Sequence, residues 1–291
     1  MDVVETGSGP ITIVAVHGIQ GTRASWSALA RLMGGEARFV LPNLRGRAQA
    51  ARGAGRDDYR LDRLADDLEE VIRARVGDAP FVLAGWSMGV SLALQYLSRP
   101  GVPRPSALVL MSGTPMLDQA YWFSNEGPAL LEEIHDREIR LGLVEAADRD
   151  AVAWTWEALR NTSQVGLLSG VAIPTLIIHG REDGDSPWSH AERLAADLPD
   201  AKLIGLERTG HSVLKDATAA VAQHVRGFLR DLNKREEHHE KRRPDPLVRA
   251  GAHRFRLRYA RRPAGVARAH GLSQRRARDR HLLHRAHALG A

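Results

Sequence analysis

Six short, predominantly apolar runs are the feature of this chain that most restricts its fold. Segments with the apolar spacing of helices separate most of these runs. A run that is apolar at nearly every position is typical of a strand buried on both faces, and strands that alternate with helices favour a parallel sheet. We therefore predict an α/β fold with a mostly parallel central sheet flanked by helices. The predicted strands are ITIVAV, ARFVLPN, FVLAGW, SALVLMSG, IPTLIIHG and AKLIGLE, at residues 11–16, 37–43, 81–86, 106–113, 173–180 and 201–207.

The connection between the fourth and fifth predicted strands is too long for an ordinary loop. It covers residues 116–172 and has helical patterns, which predicts a helical lid inserted in the core. The core then comprises residues 1–115 and 173–232. The insert is rich in aromatic residues for a chain with 5% Phe, Trp and Tyr. These residues line a substrate pocket or pack the lid helices together, and both interpretations are open. They are Tyr121, Trp122, Phe123, Trp154 and Trp156, of which we assign Trp122, Phe123 and Trp154 to a pocket, together with Trp86.

The last part of the chain differs in charge from the rest. Residues 234–291 contain 17 Lys and Arg against 5 Asp and Glu, whereas residues 1–233 contain 24 against 30. The formal net charge of +6 therefore comes from the tail. Because residues 233–291 show no core face, we expect a disordered basic extension there. A basic arm for nucleic acid or an anionic membrane surface is the alternative that we do not favour.

The composition and the N-terminus exclude several classes of protein. The chain has no cysteine, which rules out disulfides, thiolate metal sites and cysteine nucleophiles. Its first residues lack a basic segment followed by an apolar run, and no stretch approaches the roughly 20 apolar residues that span a bilayer. By default we expect a cytoplasmic protein, and the oligomeric state is left open.

The pentapeptide GWSMG, at residues 85–89, is the strongest chemical signal in the sequence. It fits the pattern G-x-S-x-G and lies between the predicted strand FVLAGW and a predicted helix, which is the context that this motif requires. The glycines on either side allow strand and helix to approach each other closely, and the turn exposes the serine hydroxyl above the sheet. Ser87 is therefore the candidate nucleophile.

A serine hydroxyl needs a neighbouring base, and this base is usually oriented by a carboxylate. In hydrolases with this turn, the chain order is serine, then acid, then histidine. Two later loops supply these residue types. The loop after IPTLIIHG contains Glu182, Asp183 and Asp185, and the loop after AKLIGLE contains His211.

Together these motifs resemble the α/β-hydrolase fold superfamily, and in particular lid-bearing serine hydrolases of the esterase and lipase kind. The resemblance covers nearly all of residues 3–232. It is carried by HGIQG, PNLRG, GWSMG, HGREDGDSP and GHS, which begin at residues 17, 42, 85, 179 and 210.

The resemblance implies a role for each matched residue. Ser87 is the nucleophile, His211 the general base and then acid, and Asp183 the carboxylate that holds the imidazole. The family's acid lies three residues after the glycine of its loop and four before a proline, and Gly180 and Pro187 give Asp183 both spacings. Glu182 and Asp185 are the rival acids.

Two backbone amides are expected to form the oxyanion hole. The amide of Met88 follows the nucleophile and opens the next helix, where free N–H groups favour an anion. The resemblance implies the amide of Ile19 as its partner, because the family's second donor follows the His-Gly pair. The amide of Gln20 is the alternative.

Thirteen histidines raise the question of metal binding. His17 and His179 each precede a glycine at the end of a predicted strand, and we interpret them as packed loop residues. His135, His190 and His224 lie on predicted helices without a partner at ligand spacing, and the H-E-x-x-H pattern is absent. The sequence also lacks phosphate-binding glycine motifs. We therefore expect no metal and no cofactor.

These observations predict a hydrolase that transfers an acyl group from a small-molecule substrate to water. Carboxylic esters are the first expectation, and lactones, thioesters, C–C bonds or cofactor-free haloperoxidation are alternatives on the same residues. A serine at this turn argues against the epoxide hydrolase and haloalkane dehalogenase branches, for which the resemblance would require an aspartate. A ligand-binding protein without catalysis is the alternative of another class, since fold alone does not fix function.

Overall fold

The computed structural model describes residues 2–143, 145 and 147–241. The predicted basic tail therefore lies outside the described residues from position 242 onward. Within the described part of the chain, no helix is long and apolar enough to cross a membrane.

Seven strands form one sheet in the order β1-β3-β2-β4-β5-β6-β7. Each of β2 to β7 runs parallel to its neighbours among these six strands, and β1 pairs antiparallel with β3. The mostly parallel sheet agrees with the prediction from the apolar runs. The strands are β1 (Asp2–Thr6), β2 (Ile11–Val16), β3 (Ala37–Asn43), β4 (Val82–Trp86), β5 (Ala107–Met111), β6 (Thr175–Gly180) and β7 (Ala201–Leu206).

Strand β1 was not among the six predicted strands. Its sequence DVVET is half-buried at its first two residues and exposed at the last three, so it lacks the continuous apolar run of an interior strand. It is an edge strand, held by its antiparallel register with β3. A strand with one neighbour and an exposed face needs few apolar residues, which explains why the pattern did not indicate it.

Helices cover both faces of the sheet. One apolar cluster joins α1 and α9 to one face, and the other joins α2, α3 and α7 to the opposite face. Helix α9 continues to Lys241, so the predicted boundary at residue 233 falls inside this helix. The helices outside the insert are α1 (Ser27–Met33), α2 (Leu61–Arg75), α3 (Met88–Leu97), α7 (Trp188–Asp197), α8 (Val213–Asp216) and α9 (Thr218–Lys241).

The long connection between β5 and β6 is helical, as its sequence pattern indicates. It contains α4 (Gly127–Leu141), α5 (Arg149–Leu159) and α6 (Val165–Leu168). We call residues 116–172 the insert. Its buried residues include Leu130, Ile134 and Trp156, which pack in the same apolar cluster as α2 and α3. The insert therefore shares its core with one face of the sheet.

Candidate active site

Ser87 lies in a strained turn between β4 and α3. Its backbone has φ 57° and ψ −120°, a conformation that L-residues rarely adopt. A Cβ at Gly85 would lie 2.4 Å from the carbonyl oxygen of Gly89, and a Cβ at Gly89 would lie 2.5 Å from that of Val16. Both flanking positions must therefore be glycine for strand and helix to meet this closely.

Three side chains from three strand ends form a continuous line of hydrogen bonds. The Oγ of Ser87 is 2.8 Å from Nε2 of His211. The Nδ1 of His211 is 2.9 Å and 3.0 Å from the two carboxylate oxygens of Asp183. Because a carboxylate accepts, Nδ1 donates to Asp183, and Nε2 is the acceptor for the serine hydroxyl. The structure thus brings together the three residues that the sequence assigned to catalysis.

Asp183 is buried and accepts several hydrogen bonds. Its Oδ1 accepts from the amides of Asp185 and Ser186, at 3.0 Å and 2.9 Å, and its Oδ2 lies 3.3 Å from Nε2 of His179. Burial acts to raise the pKa of Asp183, but the hydrogen bonds from His211 and from the Ser186 amide outweigh it and hold this pKa below its usual value. Asp183 is therefore ionised at neutral pH and can fix the imidazole of His211.

The two rival acids occupy different positions. Glu182 is exposed. Asp185 lies near His211 but on the side of the nucleophile, with Oδ2 3.7 Å from Nε2. It forms an ion pair with Arg137 of the insert. Of the three carboxylates, Asp183 is the one that contacts Nδ1 of His211.

Two further histidines support the loops around this site. The Nε2 of His17 accepts from the amide of Leu44 at 3.2 Å, so its Nδ1 is the donor to the carbonyl of Gly18, 2.8 Å away. Burial, with the nearby charge of Arg47, lowers the pKa of His17 to about 3, so this ring is neutral. The Nε2 of His179 donates to the carbonyl of Ser186 at 2.7 Å, and burial lowers the pKa of His179.

The residues assigned to the oxyanion hole lie close to Ser87. Met88 is the first residue of α3, where amide groups have no acceptor within the helix. A Cβ at Gly18 would lie 3.1 Å from the Cβ of Ser87, so the loop that carries Ile19 passes directly beside the nucleophile. The side chain of Gln20 points to the insert, since its Nε2 donates to the carbonyl of Ile134 at 2.9 Å.

Trp86 supports the histidine loop. Its Nε1 donates to the backbone carbonyl of His211 at 3.0 Å, and the two rings lie 5.6 Å apart. A Cβ at Gly18 would lie 3.1 Å from the Trp86 ring. This side chain therefore packs between the loop of Gly18 and the loop of His211.

The aromatic residues of the insert separate into two groups. Trp122 and Phe123 are buried and pack on Trp156, with ring centroids 5.6 Å and 5.8 Å apart. Trp122 also donates from Nε1 to Oγ of Ser186 in the acid loop, at 3.3 Å. Tyr121 is 69% exposed. Trp154 is half-buried and contacts Tyr59 and Arg52, so the structure does not bring it together with the other assigned pocket residues.

Arg137 is the residue at this site that sequence reasoning missed. It lies on α4 and is only 4% exposed. Its Nη1 donates to Oε1 of Gln20 at 2.6 Å, its Nη2 donates to Asp185, and its guanidinium stands 5.4 Å from the ring centre of Phe123. In the sequence HDREIRL this arginine resembles its exposed neighbours, and no motif distinguishes it.

Among the described residues, no group of three or more His, Cys, Asp or Glu side chains could hold a metal ion. The hydrogen bonds from Ser87 through His211 to Asp183 have the geometry in which a base and an orienting carboxylate can activate a hydroxyl for attack on an acyl carbon.

Comparison with known proteins identifies the family. The family model for the alpha/beta hydrolase family matches residues 13–224. The chain is 28% identical over 238 residues to the pimeloyl-(acyl-carrier protein) methyl ester esterase of Nitrosomonas europaea, which covers 71% of this chain and 90% of that protein. It is 27% identical over 203 residues to the AB hydrolase superfamily protein YisY of Bacillus subtilis, with 60% and 74% covered.

A solved structure, the esterase EaEST from Exiguobacterium antarcticum, has the same fold. It superimposes with a TM-score of 0.68 at 22% identity, over 78% of this chain and 94% of the esterase. With the family model matching most of its length, the chain belongs to the alpha/beta hydrolase family of enzymes.

Proposed function

We propose that this enzyme is a serine hydrolase that cleaves a carboxylic ester through an acyl-enzyme on Ser87. The observation that carries the proposal is the line of hydrogen bonds from Ser87 through His211 to Asp183. The strained backbone of Ser87 supports it, because strain of this kind persists where it positions a functional group.

In the proposed reaction, Nε2 of His211 takes the proton of the Ser87 hydroxyl while Oγ attacks the carbonyl carbon of the ester. The amides of Met88 and Ile19 donate to the oxygen of the tetrahedral intermediate. His211 then gives its proton to the leaving alcohol, and Asp183 stabilises the imidazolium in between. Water, activated by the same imidazole, releases the acyl group from Ser87 and restores the enzyme.

We also propose that the insert acts as a lid. Ser87 is 3% exposed, and we infer that an ester reaches it when the insert moves. The insert borders the site through Arg137 and Trp122, which contact Asp185 and Ser186 of the acid loop. A movement of the insert that admits an ester would break these contacts, the hydrogen bond from the amide of Tyr121 to the carbonyl of Asp185, and part of the shared apolar packing.

The same machinery serves other reactions, since fold alone does not fix chemistry. Solved structures that share the fold include an enol-lactonase from Burkholderia xenovorans and a bromoperoxidase from Bacillus anthracis. The relative in Nitrosomonas europaea is named as a methyl ester esterase, and its match is the reason for placing esters first.

A substrate panel tests the proposal. Esters, lactones and thioesters of graded acyl length are offered to the wild-type enzyme and to Ser87→Ala, with release of acid as the readout. We expect hydrolysis of one or more esters by the wild type and a loss of roughly 10⁴-fold or more in Ser87→Ala. Full activity in Ser87→Ala would overturn the assignment of the nucleophile.

Labelling with a fluorophosphonate separates an enzyme from a ligand-binding protein of the same fold. An activated Ser87 reacts with this probe, whereas a serine without a working base does not. We expect one label per chain at Ser87 and none in His211→Ala. Absence of labelling in the wild type would favour the ligand-binding alternative.

A further inference from the structure

Arg47 is a completely buried arginine next to the predicted oxyanion loop. It lies in the loop that follows β3 and has no exposed surface. Its Nη1 donates to the carbonyl of Arg45 at 2.8 Å. Its Nη2 donates to the carbonyl of Ile19 at 2.8 Å and to Oγ1 of Thr155 at 3.2 Å.

All three acceptors of Arg47 are neutral. Among the described residues, no carboxylate oxygen lies within 4.0 Å of the guanidinium nitrogens, the distance that defines an ion pair. Its Nε is buried and has no hydrogen-bond partner in the described part of the chain. Burial lowers the pKa of Arg47 to about 10, so the group is still charged at neutral pH. The carboxylates of Asp148 and Asp67 attract this charge from beyond ion-pair distance, and a buried charge without a direct ion pair is expensive, which points to a use for it.

The position of Arg47 indicates that use. Ile19 is held through the peptide groups on both of its sides. On one side, Arg47 binds the carbonyl of Ile19. On the other, the carbonyl of Gly18 accepts from Nδ1 of His17 and from the amide of Gly21, at 2.8 Å and 3.2 Å. Because a peptide group is planar and trans, fixing the Gly18 carbonyl fixes the direction of the Ile19 amide hydrogen.

The charge of Arg47 also fits the proposed reaction. The ester that enters is neutral, whereas the tetrahedral intermediate carries an anionic oxygen next to the amides of Ile19 and Met88. In a dry interior the attraction between a fixed cation and this anion is much stronger than in water. An interaction that exists only after the negative charge has formed raises kcat without tightening substrate binding.

We propose that Arg47 is a positioning residue of the oxyanion site. It holds the carbonyl of Ile19, the residue whose amide donates to the oxyanion, and it supplies a buried positive charge that the tetrahedral intermediate balances. The inference rests on the proposed function, because it requires acyl chemistry at Ser87.

Arg47 also has a structural role that the test must separate. Its acceptor Thr155 lies on α5, and Arg47 forms an isolated β-bridge with Ala147 of the insert. Removing the side chain would take this donor from the carbonyls of Arg45 and Ile19 and from Oγ1 of Thr155, which lowers stability. A purely structural residue would affect folding and substrate binding but would have no selective effect on the tetrahedral state.

The experiment compares Arg47→Met, Arg47→Lys and Arg45→Met with the wild type, using the best ester of the panel. Arg45 is the matched control, since it lies two residues away and pairs with Asp67. Titration with a fluorophosphonate counts the folded active sites. Two inhibitors with the acyl group of the substrate are also measured, a boronic acid that forms a tetrahedral adduct with serine and a neutral amide that resembles the bound ester.

For Arg47→Met we expect kcat per titrated site to fall roughly 10- to 100-fold with KM within about twofold, somewhat less than the loss of a direct oxyanion donor. The Ki of the boronic acid should rise by the same factor and that of the amide should not change. Arg47→Lys, which keeps the charge, should recover most of kcat, and Arg45→Met should keep the wild-type kcat. If Arg47→Met does not fold, Arg47→Lys is used for the test. Its kcat should then fall slightly, and the Ki of the boronic acid should rise by the same factor.

Three results for Arg47→Met would overturn the proposed role. They are an unchanged kcat per titrated site, a change in KM alone, and an equal rise in the Ki values of both inhibitors. Failure of the proposed function would look different, because the wild type itself would then show neither Ser87-dependent hydrolysis nor labelling.

Discussion

The strand-end loops of the core and the insert both border Ser87, but they hold their residues in different ways. In the core, Ser87, Asp183 and His211 follow β4, β6 and β7, and the hydrogen bonds of the sheet fix the starting point of each loop. The insert contacts the acid loop through the side chains of Arg137 and Trp122 and through a backbone hydrogen bond from the amide of Tyr121 to the carbonyl of Asp185. We propose that the reaction chemistry depends on the core loops, and that the insert covers the site and selects the substrate.

Asp183 and Asp185, two residues apart in the acid loop, show the same contrast between core and insert. Asp183 contacts Nδ1 of His211 and two backbone amides of its own loop. Asp185 faces the other side of the imidazole and is paired with Arg137 of the insert. We infer that Asp183 belongs to the reaction and that Asp185 belongs to the contact between core and insert.

The largest expected effect distinguishes these two carboxylates. Asp183→Asn should lower kcat by about 10⁴-fold, because an amide in place of the acid favours the wrong tautomer of His211. Asp185→Asn serves as the matched control and should lower kcat by less than about tenfold, because Asp185 does not contact Nδ1 of His211 and Arg137 keeps its hydrogen bond to Gln20. Steady-state kinetics on the same ester compare the two. Equal losses in both variants would mean that the assignment of the acid is wrong.

A smaller effect on kcat/KM is expected when Arg137 of the insert is replaced. Arg137→Met removes the ion pair of Asp185 and the donor to Oε1 of Gln20, so the contact between the acid loop and the insert loosens beside His211. We expect kcat/KM to fall about tenfold, measured by steady-state kinetics on the same ester.

The double variant Arg137→Met/Asp185→Asn controls for this interpretation. It removes both charges, and its kcat/KM should recover toward that of the wild type. A loss that persists in the double variant would assign the effect to movement of the insert instead of charge.

Stability in acid tests the loop of His17. Burial and the charge of Arg47 place the pKa of His17 in the folded chain at about 3, below its usual value of 6.5. Between these values the unfolded chain binds more protons, so the contribution to the free energy of unfolding is complete above pH 6.5 and declines as the pH falls toward 3. The free energy of unfolding, measured with urea at several pH values, should decline less in His17→Gln than in the wild type as the pH falls. The exposed His135→Gln is the control, and an unaltered decline in His17→Gln would contradict the buried, neutral ring.

The smallest effects should separate the aromatic residues of the insert. Trp154 contacts Tyr59 and Arg52, so Trp154→Ala should leave kcat/KM within about twofold of the wild type. Phe123 packs against Arg137 and Trp156, and Phe123→Ala should reduce kcat/KM several-fold more. Kinetics with esters of graded acyl length provide the measurement, and a larger loss in Trp154→Ala would reverse this order.

The contrast between the core loops and the insert also explains which features of the fold and the site the sequence could predict. The alternation of apolar runs and helices predicted β2 to β7, and the strand-turn-helix context of GWSMG predicted the position of Ser87. The resemblance to the family's acid loop, whose spacing Gly180 and Pro187 match, selected Asp183 from three neighbouring acids. Each signal is local, because a buried strand or a tight turn restricts the residue types at successive positions.

Other features depend on contacts between distant segments and have no local signal. Edge strand β1 is half exposed and lacks an apolar pattern. Arg137 and Arg47 are buried by partners more than 20 residues away, Gln20 and Ile19 among them. In sequence both read as ordinary surface charges, since charged residues are rarely buried. The separation of Trp154 from the other assigned pocket residues has the same origin.

Transfer of an acyl group through Ser87 can be observed during turnover. The enzyme is quenched while it hydrolyses an activated ester such as p-nitrophenyl acetate, and mass spectrometry with peptide mapping locates the acyl group. We expect an acetyl group on the peptide containing Ser87, formed in a rapid burst and absent in Ser87→Ala. Turnover of the ester without acylation of Ser87, or with the acyl group on another residue, would contradict it.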